Sequence, residues 1–258
     1  MLARERRKQI LEDLKKSGSV TIDGLLNRYK VTRMTIWRDL KNLEENGQLM
    51  RVHGGAILPS SFSNQEPQFE EKKKTCLKEK IAIAKYAAEN FIDENDIVFL
   101  DGGSTVMELI PFLQNKDITI ITNGLNTLYL ASKYASNINI ISGGGVLRIP
   151  SMTFIGPEAE ATINRFNAEK VFLSCSGITQ DLGIMDIHPL EMEIKKLMIK
   201  CANQKILLVD STKIFKNSLS ALARFDEIDI IITDDKIEPK NIEFLKKKGV
   251  DLRIVSVD

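Results

Sequence analysis

Two spacings of apolar residues follow one another along this chain, and the changeover between them divides it. Up to about residue 46 the apolar positions recur every three or four residues, the repeat of amphipathic helices. Residues 4–16 predict a first helix with Ile10, Leu11 and Leu14 turned inward, ended by Ser17-Gly18-Ser19. Thr21 caps a second helix carrying Ile22, Leu25, Leu26 and Tyr29 on its inner face. After a tight turn through Lys30 and Val31, Thr32 caps a third helix that runs to Asn46 and is stopped by Gly47. Its inner stripe is Ile36, Leu40 and Leu43, so Arg33, Thr35, Trp37, Arg38 and Lys41 face outward. Residues 49–53 and 56–58 then read as two strands around a Gly54-Gly55 turn.

From Lys78 the pattern changes to one amphipathic helix followed by short, continuous apolar runs. These fall at 97–100, 118–121, 138–141, 170–173, 205–209 and 228–232, with a further one at 252–257. Most are followed by a helical stretch. That alternation predicts a mostly parallel sheet covered on both faces, an α/β domain. Between the two patterns, residues 59–75 (PSSFSNQEPQFEEKKKT) hold Ser, Pro and charge without apolar periodicity, and read as a linker. The expected domains are therefore 1–58, the linker 59–75, and 76–258.

Composition adds little until it is divided. The 258 residues carry a net charge of +1 and 43% hydrophobic content, as in an ordinary globular protein. The first 58 residues hold +5 and the remainder −4. A basic N-terminal module suits a polyanion. Cys76, Cys175 and Cys201 are odd in number and unpatterned, which argues against a disulfide framework or a zinc site. The start MLARERRKQ lacks the apolar core of a leader, and no apolar run is long enough to span a membrane, so the expected location is the cytoplasm.

Two short helices joined by a tight turn, the second polar and basic outside, form a helix-turn-helix, and the hairpin after them is its wing. Such a module lays its last helix in the major groove of double-stranded DNA. Arg33, Thr35, Trp37 and Arg38 are the candidates for base or groove contacts, with Lys41 and Arg51 on phosphates. Arg4, Arg6 and Arg7 are either backbone contacts or a solvated helix end. His53 has no partner for metal or base chemistry and reads as structural or as a phosphate contact.

In the larger domain, chemistry is expected in the loops beyond the carboxyl ends of the strands. Asp101-Gly102-Gly103-Ser104-Thr105 follows one strand and opens a helix; its glycines permit close approach, and its hydroxyls and amides suit a phosphate-sized anion. Thr122-Asn123, Gly143-Gly144-Gly145 and Asp210-Ser211-Thr212-Lys213 follow other strands. Lys213 offers positive charge, while Asp101 and Asp210 offer acceptors to sugar hydroxyls. The stretch 176–189 reads as a long loop able to cover a pocket. Glu191 and Lys195, four apart on a helix, either pair with each other or turn into the site.

The run VTRMTIWRDLKNLEENGQLMRVHGGA resembles the signature of the DeoR family of bacterial transcription regulators, in which a TIRRDL-like helix precedes an RxHGGA wing. Trp37 stands where the family usually has arginine. It cannot make arginine's bidentate guanine contact, and is left to stack on a sugar or to pack against a thymine methyl. DGGST, TN, GGG, SGI and DSTK, in that order, resemble the effector domain of the same family. The resemblance implies a fold similar to ribose-5-phosphate isomerases and CoA transferases, and a phosphorylated sugar as effector. Its pocket candidates are Asp101, Gly103, Ser104, Thr105, Asn123, Gly144 and Lys213.

The reading these features support is a repressor of a sugar-metabolism operon, acting as a dimer or tetramer on operator DNA, released by a phosphorylated sugar and needing no cofactor. The alternative is a sugar-phosphate isomerase or CoA-transferase-like enzyme fused to a DNA-binding module, with Asp101, Glu191 or Asp210 as base. A third reading is a metal-dependent regulator using Asp101, Asp210 and Asp234.

Overall fold

The computed structural model describes residues 3–17, 19–46, 48–52, 55–57, 66–134 and 137–257. It divides into two units, Met1–Glu66 and Pro67–Asp258. Helices α1 (Ala3–Ser17), α2 (Ile22–Tyr29) and α3 (Arg33–Glu45) of the first unit lie where the apolar spacing puts them. Both expected caps form: Thr21 Oγ1 accepts from the Gly24 amide at 3.1 Å and Thr32 Oγ1 from the Thr35 amide at 3.3 Å. Between α2 and α3, Lys30 takes a left-handed conformation (φ 52°) and its amide donates to the Leu26 carbonyl, closing α2. Ile10, Leu14, Leu25, Ile36, Leu40, Leu43, Leu49 and Ala56 form one buried core.

Three strands complete this unit: β1 (Ser19–Thr21), β2 (Met50–Val52) and β3 (Gly55–Ile57), in the antiparallel order β1-β3-β2. β1 was not visible in the chain, where Ser19 reads as the end of a helix. Gly55 belongs to the returning strand opposite Val52, one step beyond the turn expected at Gly54-Gly55. It is glycine because β1 presses against it: a Cβ here would sit 2.1 Å from the Val20 carbonyl oxygen. Gly47, His53, Gly54 and Leu58, to which the chain assigns turn or strand roles, lie outside the described residues.

The second unit is built on a seven-stranded parallel sheet. Its strands are β4 (Ile97–Leu100), β5 (Ile118–Thr122), β6 (Ile138–Ser142), β9 (Ala168–Leu173), β12 (Ala202–Leu208), β14 (Ile230–Asp234) and β15 (Asp251–Val255), ordered β15-β14-β12-β9-β4-β5-β6. Each carries one of the apolar runs. Alternate residues feed two cores: Val98, Leu100, Phe172, Ile206 and Leu208 on one face, and Phe99, Val171, Leu173, Leu207 and Val209 on the other. The first face is covered by α5 (Leu77–Phe91), α6 (Ser104–Met107) and α7 (Leu125–Tyr134), which contribute Ile83, Ala87, Val106 and Ala131. On the second lie α8 (Pro157–Ile163), α9 (Pro189–Lys200) and α10 (Pro239–Lys247), which contribute Ile163, Ile194, Met198 and Leu245.

Three features depart from the expectation. The linker is shorter than 59–75, because α4 (Phe69–Lys74) folds onto the second unit; Phe69 is buried and its amide donates to the Pro150 carbonyl. The stretch 176–189 is not a structureless loop. It holds the antiparallel strands β10 (Gly177–Thr179) and β11 (Gly183–Asp186), and β11 also pairs with β13 (Ser220–Ala223). Finally, the three glycines after β6 lead into a hairpin of β7 (Val146–Arg148) and β8 (Thr153–Ile155). Gly145, at φ 91°, has room for no side chain, since a Cβ would lie 2.6 Å from the Ile155 carbonyl oxygen.

Candidate functional site

The outer face of α3 carries every DNA-contact candidate of that helix. Arg33, Trp37, Arg38 and Lys41 are exposed, while Thr35 is half-buried and bonds through its hydroxyl to Thr32 at 2.9 Å. Arg51, on β2, is bound to this face. Its backbone amide and Nε donate to the two oxygens of Glu44 at 3.0 and 2.6 Å, and its guanidinium stands 4.9 Å from the centre of the Trp37 ring. Lys41 lies over the same ring at 5.6 Å. The wing's cation is thereby held in register with the helix, and the terminal guanidinium nitrogens of Arg51 have no hydrogen bond to another described residue.

Two of the arginines read as DNA-backbone contacts or a solvated helix end serve the fold. Arg6 is buried, with Nε 2.6 Å from Asp39 Oδ2, and Arg7 reaches Asp39 Oδ1 at 3.2 Å and also bonds Asn42. They fasten α1 to the back of α3.

In the second unit a pocket opens beyond the carboxyl ends of three adjacent strands, β12, β9 and β4. Asp101, Gly103, Ser104, Thr105 and Lys213 all line it. Asn123 and Gly144 do not. Asn123 sits behind the DGGST turn, accepting from the Gly102 amide at 3.1 Å and donating to the Phe154 carbonyl at 3.2 Å. Gly144, at φ 64°, shapes the turn into β7.

The first half of the DGGST turn is closed on itself. Asp101 Oδ1 accepts from the Gly103 amide at 2.6 Å; Oδ2 accepts from the Ser174 amide, from Ser174 Oγ at 2.9 Å, and lies 3.3 Å from Lys195 Nζ. Those partners hold the Asp101 carboxylate in place and crowd Oδ2, leaving it one acceptor site, on Oδ1. The glycines are set by packing rather than by ligand approach: a Cβ on Gly103 would meet Ser174 Oγ at 1.8 Å, and one on Gly102 would meet Thr153 Cγ2 at 2.3 Å. What remains for an anion is the Ser104 and Thr105 hydroxyls and the first amides of α6, which have no partner within the helix.

Sequence reasoning passed over the strongest element of this pocket. Lys80, on the inner face of α5, is buried, and its ammonium donates to the Lys72 carbonyl and to Ser104 Oγ at 3.1 Å. It makes no ion pair with any described residue. Burial pushes its pKa below the lysine range; Asp210 opposes that, and the nearby Lys213 adds to it. Lys213 likewise shows no hydrogen bond or ion pair from its ammonium to another described residue. Two cations thus face the pocket with little compensation. Lys80 reads in the chain as one polar position of an amphipathic helix, and only its burial marks it.

At the other end of the pocket the charges are compensated. Glu191 and Lys195 both turn inward, and each finds a partner elsewhere. Lys195 Nζ lies 2.6 Å from Asp186 and donates to the Ser174 carbonyl at 2.8 Å; Glu191 meets Arg148 at 3.1 Å. Burial alone would lower Lys195, but Asp101 and Asp186 outweigh it and hold the ammonium above its usual range. Burial would likewise raise Asp186; Lys195, Ser176 and the Ile187 amide hold it low instead. Glu191 is raised, by burial and then by Asp186. Asp186, Ser174, Ser151 and Thr153 are pocket residues that the chain does not advertise.

The carboxylates weighed as bases or metal ligands are all engaged. Asp210 accepts from the amide of Thr212 at 3.2 Å and from its hydroxyl, and Asp234 accepts from the amides of Ser211 and Lys236 at 2.6 and 3.1 Å. Burial pushes the Cys175 thiol, also in the pocket, up to about 12, which leaves it un-ionised and inert.

A fold of this kind, behind a winged helix, has known counterparts. The family model for the DeoR-like helix-turn-helix domain matches residues 6–62, and that for the DeoR C-terminal sensor domain matches residues 75–235. The chain belongs to the DeoR family. The HTH-type transcriptional regulator YulB of Bacillus subtilis, itself named as uncharacterized, is 34% identical to it over 99% of this chain and 98% of its own length. The lactose phosphotransferase system repressor of Lactococcus lactis is also 34% identical, over 94% of this chain and 95% of its own. Among solved structures, ribose 5-phosphate isomerase A of Methanocaldococcus jannaschii overlays 52% of this chain and 53% of its own at 17% identity, with a TM-score of 0.38. Relatives matched over almost their whole length are named as transcriptional regulators, so this DeoR-family chain is a DNA-binding regulator, and the enzyme reading is set aside. Among the described residues no helix is long and apolar enough to cross a membrane.

Proposed function

We propose that this DeoR-family regulator represses a sugar-metabolism operon, and that a phosphorylated sugar bound in the second unit loosens its hold on the operator. The observation that carries the reading is the Lys80 ammonium, buried without an ion-pair partner among the described residues beside Lys213, Ser104 and Thr105. A buried cation left uncompensated is costly, and an entering phosphate removes that cost. The compensated, hydrogen-bonding end of the pocket, with Glu191, Ser151 and Thr153 backed by Arg148, suits the hydroxyls of a sugar. The lactose phosphotransferase system repressor among the relatives points to the same class of operon.

Arg33, Thr35, Trp37 and Arg38 then meet the major groove, and Lys41 and Arg51 the phosphates. One such helix reads too short a site for genomic specificity, so the regulator acts as a dimer or tetramer on repeated half-sites. The effector must bind the DNA-holding and DNA-free states unequally, typically with about 1–3 kcal/mol of coupling.

A thermal-shift screen of phosphorylated sugars against their unphosphorylated parents tests this, since a ligand specific for the native state raises its melting point. Stabilisation by a phosphorylated sugar alone, with release of operator DNA at the same concentration, is the expected result. Equal response to the parent sugar rejects the phosphate site.

A further inference from the structure

The recognition helix presents apolar groups where a DNA-reading face is usually polar. Seen down the axis of α3, the outward arc runs from Arg33 to Arg38, with Trp37, Lys41 and Met34 between them at 3.6 residues per turn. Met34 is 60% exposed and Trp37 43% exposed, although this unit has a complete core of its own. The two stand three residues apart, side by side on one face. They are the only large hydrophobic side chains of the described first unit that are exposed to this degree.

Two cations already crowd the ring of Trp37. The Arg51 guanidinium stands over it at 4.9 Å, Lys41 lies over it at 5.6 Å, and Glu44 holds Arg51 in that position. A flat partner needs a bare ring face, whereas the outer edge of the indole and the Met34 thioether need only an apolar group to touch. On the floor of the major groove the one apolar group is the 5-methyl of thymine.

We propose that Trp37 and Met34 read thymine methyl groups, so that each operator half-site requires thymine at the positions facing the middle of α3, while Arg33 and Arg38 read or grip on either side. This rests on the reading of α3 as the groove-bound helix and adds its base preference. Trp37 is a specificity-determining residue on this view, with its ring edge aimed by the wing.

The test uses the full chain and DNA alone. Duplexes bound at low ionic strength are selected from a randomised pool. In the selected duplex each thymine is then replaced in turn by deoxyuridine, which removes only the methyl. One or two thymines per half-site are expected to lose about fourfold in affinity per methyl, with other thymines unaffected. The Trp37→Ala variant should bind thymine and deoxyuridine equally at its position, and Trp37→Arg should shift the selected base there from thymine to guanine, through the bidentate contact arginine makes. If no thymine in the wild-type duplex is sensitive to loss of its methyl, the proposal is overturned while the DNA-binding reading stands. If no duplex is enriched at all, the groove-bound helix itself is wrong and the proposal falls with it.

Discussion

Arg6 and Asp39 form an ion pair at 2.6 Å inside the first unit, both side chains almost wholly withdrawn from solvent. The pair gives the aspartate of the WRDL run a role unconnected with DNA, since at 3.6 residues per turn it faces the opposite side of α3 from Trp37 and Lys41. Removing one member of a buried pair strands the other charge and typically costs about 3–5 kcal/mol. Arg6→Met is therefore expected to destabilise the first unit in denaturant unfolding, by less than that amount because Arg7 still reaches Asp39. The double variant Arg6→Met/Asp39→Leu should recover part of the loss, because the buried pair is gone and only the more exposed Arg7 loses a partner. A single variant as stable as the wild type would show that the pair contributes nothing.

The DNA-facing cations separate by salt dependence. Arg38→Ala should weaken operator binding, while Lys41→Ala and Arg51→Ala should each lower the slope of log affinity against log salt by about one unit, as for one lost phosphate contact. Arg51→Ala should lose more affinity than Lys41→Ala, because it leaves Glu44 without its partner beside the DNA. Unchanged slopes in gel-shift titrations of both lysine and arginine variants would place neither on a phosphate.

Lys213→Ala should bind the operator like the wild type yet fail to release it when the phosphorylated sugar is added. Release at an unchanged concentration of effector would remove Lys213 from the site.

Lys80 makes effector binding sensitive to pH. Its folded-state pKa lies below the usual 10.5, so the empty pocket loses this proton before an exposed lysine would. An anion binds the ammonium and not the amine, so affinity should fall as pH rises through the lowered value, ahead of 10.5. In Lys80→Met the affinity should be weak and this dependence absent. Calorimetric titrations across alkaline pH decide it: affinity flat up to 10.5 would show that Lys80 is not the phosphate's counter-ion.

Lys195 and Asp186 bracket the pH range of stability. Lys195 is raised on folding, so its contribution is complete below 10.5 and is lost as pH climbs through the folded value. Asp186 is lowered, so its contribution is present above 3.8 and is lost as pH falls through the folded value. The contribution of this pair to the stability of the second unit should be flat between those limits. Lys195→Met should lower it by about 3–5 kcal/mol, seen as a drop in the denaturant midpoint.

Much of this molecule was legible in the chain because local physics decides it. Apolar spacing placed α1 to α3 and all seven parallel strands, since each run must bury its own face whatever its neighbours are. Thr21 and Thr32 were readable as caps for the same reason: their partners are three residues away. The short strands were not legible. Three residues at β1, or at β10, carry no periodicity, and they become strands only when β3 or β11 arrives to pair with them.

The pocket divides along the same line. Asp101, Gly103, Ser104, Thr105 and Lys213 announce themselves as polar residues at strand ends, and the parallel order of β12, β9 and β4 makes those ends neighbours. Whether a given group is spent or available was decided by the tertiary structure alone. Asp101 is held by Ser174 and Lys195, which lie 73 and 94 residues further along the chain, while Lys80 is left buried without an ion-pair partner among the described residues. Patterning is a property of neighbours in sequence and charge compensation a property of neighbours in space, so the chain by itself determines where a site forms, and folding determines which of its groups are free to act.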